Sequence, residues 1–339
     1  MKKRVSIKDI AEAAGVSTAL VSYVLNNKEK EARVGKEIAI KIRDIAKQLN
    51  YQPNQLAKSL KSGKSYTIGL IVADISNPFF ANIARTIEDE AKKNNYTVIF
   101  GSSDENAEKS KDLIDVLVNR QVDGFIIAPT ENSQEQIKDL ESRGIPLVLI
   151  DRYFPGISTN YVATDNFEAS VDVVNHLVEN GHKRVGLVTY DSDLINIKER
   201  QRGYEEALRK HGISVNPSMI AKIRFGNIEE DIPARINALL EGDKPVDSIF
   251  FATNTLALNG LKHINTLDYK VPQDLGIVCF DEGDAFDFFY SPLTHVYQPL
   301  FEVASKAVNV LIEQINDTQS PKKELIIASE LIIRKSSGA

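Results

Sequence analysis

Charged, amide and aromatic side chains recur in this chain directly after short apolar runs. Planar guanidinium and carboxylate groups bond adjacent hydroxyls in a bidentate way, and aromatic faces cover the apolar C–H side of a sugar ring. Together these groups suit the reversible binding of a neutral polyol. The residues of this kind are Asn77, Phe79, Phe80, Asp151, Arg152, Arg200, Asn254, Asp281 and Gln298.

Five members of this set also have a purely structural interpretation. The two phenylalanines can staple the helix that follows them, Asp151 and Arg152 can form a structural ion pair, and Asp281 can cap a turn. The joint occurrence favours a ligand site. Two arginines would face two aspartates, so we expect the local charge nearly to balance. A phosphorylated or carboxylated ligand would then leave surplus negative charge buried, which is costly unless it is paired.

The apolar runs themselves predict the elements that position this set. Continuous runs at 67–73, 97–100, 124–128 and 146–150 are each followed by a helical stretch, and the rhythm restarts at 184–188, 248–252 and 276–280. Strands of this kind are typical of parallel sheets that are covered by helices on both faces. Ligands of such sheets bind at the carboxyl ends of the strands. We therefore predict two α/β lobes that share one cleft.

Charge is distributed unevenly between the two ends of the chain. Residues 1–64 carry fourteen lysines and arginines against six acidic residues, a net charge of +8, whereas the whole chain carries −6. The remaining residues therefore carry −14. A basic module of this size is the footprint of a phosphate-backbone binder, although a solvated charged tail is the alternative.

Length and composition narrow the class of protein. A chain of 339 residues with 42% hydrophobic residues is expected to form about two to three soluble domains. Cys279 is the only cysteine, so an intrachain disulfide is impossible and a reducing cytoplasm fits. The five histidines are scattered, and we expect no metal, no cofactor and no membrane segment.

The first fifty residues show the pattern of a helix-turn-helix. Ser6 can cap a helix over 7–14, Gly15 supplies the turn, and Ser17 can cap a second helix over 18–25. Its outward residues are predicted to be Thr18, Ala19, Ser22 and Tyr23. A third helix at about 36–49 is predicted to close the core with Ile38, Ile42, Ile45, Ala46 and Leu49. The second helix of such a motif enters the DNA major groove.

Motifs in this region resemble the lactose/galactose-repressor (LacI/GalR) family of transcriptional regulators. They are IKDIA at 7–11, AGVS at 14–17, VSYVLN at 21–26 and the segment YQPNQLAKSL at 51–60. By that resemblance, Thr18, Ala19 and Tyr23 read base edges. By the same resemblance, Leu60 wedges into the minor groove. The alternative is that Leu60 is a linker residue that packs on its own domain. The resemblance implies DNA contacts from Ser17, Thr18, Ala19, Ser22, Tyr23, Asn26, Asn54, Ala57, Lys58 and Leu60.

The rest of the chain is similar to the periplasmic ribose-binding protein type. This resemblance implies that an effector contacts Asn77, Phe79, Phe80, Asp151, Arg152, Asn196, Arg200, Asn254, Asp281 and Gln298. The implied fold class is α/β, with a helix-turn-helix headpiece and a two-lobed core of two doubly wound parallel sheets. We predict a headpiece at 1–50, a hinge at 51–64 and a core at 65–339. The N-lobe would comprise about 65–163 and 297–323, and the C-lobe about 164–296 and 324–339.

These resemblances imply a cytoplasmic, sequence-specific transcriptional regulator of repressor type. We expect a homodimer on palindromic operator DNA, because operator half-sites mirror a protein two-fold axis. A neutral monosaccharide between the lobes would set operator affinity, and the sequence leaves induction and co-repression open. A non-sugar or phosphorylated effector, or a vestigial ligand lobe, is the alternative. An enzyme is disfavoured because the chain has neither a Gly-x-Gly-x-x-Gly nor a Gly-x-Ser-x-Gly motif.

Overall fold

The computed structural model describes residues 5–51, 63–241 and 244–338. The chain divides into two compact units, Met1–Ser65 and Tyr66–Ala339. We describe each unit by itself. No helix in the described ranges is both long and apolar enough to cross a membrane.

Three short helices form the described part of the first unit, and their ends follow the capping residues. Helix α1 (Ile7–Ala14) begins at Ser6, whose hydroxyl accepts from the Asp9 N–H while the Asp9 carboxylate accepts from the Ser6 N–H, a capping box. Helix α2 (Thr18–Leu25) begins at the Ser17 cap, and helix α3 (Lys36–Gln48) follows a longer loop. The predicted helix-turn-helix is therefore confirmed.

The predicted core of this unit is partly wrong. Ile42 and Ala46 are buried as predicted, but Ile38 is 41% exposed and Leu49 is 37% exposed. Ala39 takes the expected place of Ile38, because the buried stripe of α3 runs through positions 39, 42 and 46. Two small residues on that stripe let three short helices approach closely around Ile42.

The first lobe of the second unit contains a six-stranded sheet whose neighbouring strands all run parallel. Its strands lie in the order β2 (Thr97–Ser102), β1 (Thr67–Val72), β3 (Gly124–Ile127), β4 (Leu147–Ile150), β5 (Asn160–Thr164) and β11 (Glu324–Ile327). The helices of this lobe are α4 (Pro78–Lys93), α5 (Ala107–Asn119), α6 (Gln134–Ser142) and α12 (Leu300–Asn316). Separate apolar clusters fill the two faces of the sheet.

The second lobe repeats this arrangement. Its strands lie in the order β7 (Ile220–Ile223), β6 (Val185–Tyr190), β8 (Ser248–Phe251), β9 (Gly276–Phe280), β10 (Thr294–Tyr297) and β12 (Glu330–Ile332). Only β12 among these is antiparallel to its neighbour. The helices are α7 (Asn166–Glu179), α8 (Ile195–Lys210), α9 (Ile228–Leu240), α10 (Asn254–Ile264) and the short α11 (Asp284–Asp287). Two doubly wound sheets are thus confirmed.

The chain passes between the sheets three times. It crosses after β5 and after β10, and it crosses again between β11 and β12. The third crossing lies between Ile327 and Glu330, a few residues after the lobe boundary predicted at about 323–324, because 324–327 pair with β5 of the first sheet and Ile327 joins its core. Strand β2 was predicted to be buried on both faces, and this is wrong. It lies at the edge of the sheet, and Phe100 is 61% exposed.

Candidate functional site

A cavity of about 420 Å³ lies where the carboxyl ends of the strands of the two lobes face each other. Among the ten predicted ligand residues, only Asn254 does not line it. The lining members are Asn77, Phe79, Phe80, Asp151, Arg152, Asn196, Arg200, Asp281 and Gln298. Asn254 lines an adjoining pocket of similar volume and donates from Nδ2 to Asn77 Oδ1 at 3.0 Å.

Asp151 and Asp281 occupy corresponding positions in the two lobes. Each directly follows the fourth strand of its sheet, β4 or β9, and each has a positive φ, 64° and 75°. Non-glycine residues adopt this left-handed conformation rarely, and such strain concentrates at functional sites. Both carboxylates are buried. Burial raises the pKa of Asp151, although Arg152 and Arg200 oppose that shift.

Arg152 is held almost entirely by its own lobe. Its Nε donates to Asp151 Oδ2 at 3.1 Å, and its two terminal nitrogens donate to Glu105 Oε2 and Oε1 at 2.7 and 2.6 Å. Nη1 also donates to the Pro129 carbonyl at 3.3 Å. Burial opposes the charge of the guanidinium, but the carboxylates outweigh it and raise the pKa of Arg152. Arg152 therefore stays charged.

Glu105 is a cavity residue that the sequence reasoning missed. It lies in the loop after β2, so the general rule about carboxyl ends of strands would have included it. Its presence corrects the expected charge balance, because five carboxylates, those of Asp74, Asp104, Glu105, Asp151 and Asp281, line the cavity together with two guanidinium groups. The cluster carries a surplus negative charge.

Arg200 has no carboxylate partner of the kind that Arg152 has. Nε donates to Asn166 Oδ1 at 2.8 Å, Nη1 donates to the Ala252 carbonyl at 2.6 Å, and the guanidinium lies 3.5 Å from the centre of the Phe280 ring. Burial lowers the pKa of Arg200, against the attraction of Asp281 and Asp151. These bonds fix the plane of the guanidinium and leave Nη2 for a ligand.

Aromatic rings form two walls of the cavity. Phe79 and Phe80 pack edge to face with their centres 5.0 Å apart, and Phe80 is buried under the Arg152 guanidinium. The other wall was not predicted: Tyr190 and Phe225 stack with their ring centres 3.9 Å apart. Burial raises the pKa of Tyr190 to about 12, so its hydroxyl stays neutral. Phe225 follows β7, a strand that the apolar runs did not reveal.

Polar bonds join the two lobes around the cavity. Asn196 Nδ2 donates to Asp151 Oδ2 at 3.2 Å, in addition to the bond between Asn254 and Asn77. Outside the cavity, Glu131 of the first lobe accepts from the Ser192 hydroxyl and from the Asp193 N–H in the second lobe. These bonds hold the two lobes together in this arrangement.

The predicted DNA-reading residues lie on and next to α2. Thr18, Ala19 and Tyr23 are exposed, and Ser17 caps the helix by accepting from the Leu20 N–H at 3.2 Å. Asn26 ends the helix, and its amide donates to the Ser22 carbonyl at 2.7 Å. Four further predicted residues, Asn54, Ala57, Lys58 and Leu60, lie outside the described residues.

Comparisons with known proteins agree with both units. Residues 6–54 match "Bacterial regulatory proteins, lacI family", and residues 174–337 match "Periplasmic binding protein-like domain". The HTH-type transcriptional repressor PurR of Haemophilus influenzae is 30% identical over 335 residues, which cover 98% of each chain. The repressor CytR of Escherichia coli is 32% identical over 338 residues, 98% of this chain and 96% of that one. The chain belongs to the LacI family.

Solved structures show the same architecture for this LacI-family protein. The lac repressor dimer bound to operator and the anti-inducer ONPF aligns with a TM-score of 0.84 over 99% of this chain and 100% of that chain. At 21% identity, that likeness shows the fold. A LacI-family regulator from Enterococcus faecium with bound ribose is 27% identical, with a TM-score of 0.70 over 80% of this chain and 98% of that one. The protein is a DNA-binding transcriptional regulator with a ligand-binding core.

Proposed function

We propose that this LacI-family protein is a cytoplasmic, homodimeric repressor that responds to an unphosphorylated monosaccharide. The observation that carries the proposal is the cavity between the lobes. Planar charged groups, amides and two aromatic walls surround a space of about 420 Å³ there. The E. faecium relative, whose structure contains ribose, supports a sugar of this size.

The polar groups of the cavity suit hydroxyls more than any charged group. Asp281 accepts from the Gln298 amide and from the Asn254 N–H, so its orientation is fixed before a ligand arrives. A fixed carboxylate opposite the free Nη2 of Arg200 offers an acceptor and a donor to neighbouring hydroxyls. Phe79, Phe80 and Phe225 supply apolar faces for the ring carbons of the sugar.

Ligand binding would act on DNA affinity through the arrangement of the lobes. A sugar that contacts both lobes prefers the closed arrangement, and thermodynamic linkage makes the effect on DNA binding reciprocal. Coupling of this kind is typically worth about 1–3 kcal/mol. In this proposal the chain binds its ligand and does not transform it. The proposal covers induction and co-repression alike, because linkage makes the coupling reciprocal and leaves its sign open.

We infer the DNA contacts from the headpiece. Exposed Thr18, Ala19 and Tyr23 would read base edges in the major groove, and Lys58 would contact phosphate. Leu60 would insert into the minor groove and bend the operator. A single short helix reads only a few base pairs, so a palindromic operator and a protein two-fold axis are expected.

A second copy of the chain would cover exposed apolar residues on both lobes. Phe100 and Val116 are 61% and 51% exposed on the first lobe, and Phe288 and Tyr290 are 89% and 63% exposed on the second. Large exposed apolar groups mark interaction surfaces when they cluster. The lac repressor, which shares the fold, is a dimer in its operator complex. Sedimentation of wild type and of a Phe100→Asp, Phe288→Asp variant tests this part.

A thermal-shift screen of the full chain tests the ligand proposal. A panel of neutral pentoses and hexoses is compared with their phosphates, and a ligand of the native state at a hundred times its Kd stabilises by about 2.7 kcal/mol. We expect a neutral sugar to raise Tm in wild type and in Asp268→Ala, an exposed control, but not in Asp281→Ala. A response to sugar phosphates alone would overturn the proposal, as would a complete lack of response.

A further inference from the structure

Arg152 is one of the two guanidinium groups that line this cavity. A guanidinium fork matches carboxylate and phosphate geometry, and it is the usual choice for recognising either of them. Glu105 already occupies that fork, with 2.6 and 2.7 Å bonds to the two terminal nitrogens. The side chains are 7% and 19% exposed, so little water screens the pair.

The hydrogen-bonding capacity of Arg152 is almost exhausted within the protein. A guanidinium has five N–H donors. Asp151 takes one, Glu105 takes two and the Pro129 carbonyl takes one. One N–H is left for a ligand. Arg152 can therefore donate to a single hydroxyl but cannot grip a phosphate or carboxylate with two bonds unless Glu105 leaves.

The backbone around Glu105 adopts a conformation that fixes the carboxylate in this place. Asp104 and Glu105 have φ values of 50° and 55°, two consecutive non-glycine residues in the left-handed region. The Glu105 N–H donates to the Ala73 carbonyl at 3.0 Å, and Asp104 accepts from the Ser102 hydroxyl at 2.5 Å and pairs with Lys109. Strained residues persist only where the surroundings hold them, and they concentrate at ligand sites.

We propose that Glu105 determines ligand charge in this cavity: it occupies the Arg152 fork and makes the site reject phosphorylated and carboxylated sugars. This inference rests on the proposed function, because it concerns the same cavity. With Glu105 in place, an anionic ligand would add to the surplus charge of five carboxylates over two guanidinium groups. Removal of this one carboxylate would free the Arg152 fork and lower the surplus negative charge, so that the fork can bind an anion.

The test uses the full chain with inorganic phosphate as the probe, measured by calorimetry against chloride at equal ionic strength. Glu105→Gln keeps the size of the side chain and removes the charge, and Glu105→Asp retains the charge. Glu108→Gln is the matched control, because Glu108 is exposed in the first turn of α5 and does not line the cavity. A double variant, Glu105→Gln with Arg152→Gln, locates any bound phosphate.

We expect Glu105→Gln to bind phosphate at least roughly tenfold more tightly than wild type, Glu105→Asp and Glu108→Gln. The double variant should lose that gain. An equal gain in Glu108→Gln, or no gain in folded Glu105→Gln, would overturn the proposal. Binding of glucuronate to wild type as tightly as glucose would also overturn the proposal.

The outcomes also separate this inference from the proposed function. Tighter phosphate binding by Glu105→Gln, combined with no response of wild type to any neutral sugar, would support the role of Glu105 and refute the proposal of a monosaccharide ligand. Binding of a neutral sugar to wild type, with no tighter phosphate binding by Glu105→Gln, would support the monosaccharide and refute the role of Glu105.

Discussion

Glu131 should control ligand affinity without touching the ligand. It does not line the cavity, yet it joins the lobes by accepting from the Ser192 hydroxyl and from the Asp193 N–H, the latter at 2.5 Å. Leu194, the residue directly before α8, provides no side-chain cap. Glu131 thus places a negative charge near the positive end of a helix that carries Asn196 and Arg200.

The size of the effect follows from these bonds. A hydrogen bond to a charged group contributes about 1.5–3 kcal/mol when it is well shielded. Glu131 is only partly buried, so we assign about 1–2 kcal/mol to the two bonds together. If the open arrangement of the lobes dominates without ligand, the two bonds form only on sugar binding, and their whole free energy contributes to sugar affinity. Glu131→Gln should then weaken sugar affinity by about 5- to 30-fold.

Calorimetry with the sugar found in the thermal-shift screen measures this effect. Glu135→Gln is the control, because Glu135 is exposed on α6 and pairs only with Lys138 among the described residues. Because the open arrangement dominates without ligand in this reasoning, the radius of gyration from X-ray scattering without ligand should be the same in Glu131→Gln, Glu135→Gln and wild type. An unchanged sugar Kd in Glu131→Gln would refute the reasoning, as would an equal loss in Glu135→Gln.

Three further predictions concern DNA reading, pH and packing. Tyr23→Ala should relax base preference, whereas Lys58→Ala should weaken all sites and flatten the salt dependence; equal loss of specificity in a binding-site selection assay would contradict these roles. Hydrogen bonding to Asp247 raises the pKa of His182. Protonated His182 therefore stabilises the folded protein below about pH 6.5, and this stabilisation is lost as pH rises through the folded-state pKa of His182. The Tm difference between wild type and His182→Gln should therefore be larger at about pH 6 than at about pH 9, and the opposite trend would contradict this. Burial opposes the charge of Asp247, but hydrogen bonds from His182 and two backbone N–H groups outweigh it and lower the pKa of Asp247 to about 2. Ionised Asp247 therefore stabilises the folded protein above about pH 4, and this stabilisation is lost as pH falls toward 2. Gly203→Ala should destabilise the folded protein by about 1–3 kcal/mol, because a Cβ at this position of α8 collides with a backbone oxygen of α7. An unchanged Tm would contradict this and would show that α7 and α8 can move apart.

The parts of the fold that follow from local chemistry were predictable from the sequence. Ser6 and Ser17 mark helix starts because their hydroxyls bond backbone N–H groups, and continuous apolar runs mark strands covered on both faces. Strand β5 begins with polar residues and β7 alternates in burial, so neither gave a continuous run. The last crossing lies a few residues after the predicted position because 324–327 pair at the sheet edge, and long-range pairing leaves no local pattern.

The same distinction holds within the cavity. Asp151 and Asp281 were predictable because each follows an apolar strand directly. The place of Glu105 at the cavity follows from its position in the loop after β2. Its contact with Arg152 does not, since that contact depends on two consecutive residues with positive φ, which nothing in the pattern indicates. Phe225 depends in turn on β7, the strand that alternating burial concealed.

Operator affinity with and without sugar tests the central claim most directly. The operator is selected from random duplex DNA with the full chain, and its Kd is measured by fluorescence anisotropy at fixed salt. A saturating sugar should change the wild-type operator Kd by about 5- to 150-fold in one direction. Asp281→Ala should bind the operator without sugar as wild type does and should show no change when sugar is added. An operator Kd that is unaffected by a bound sugar in wild type would contradict the account.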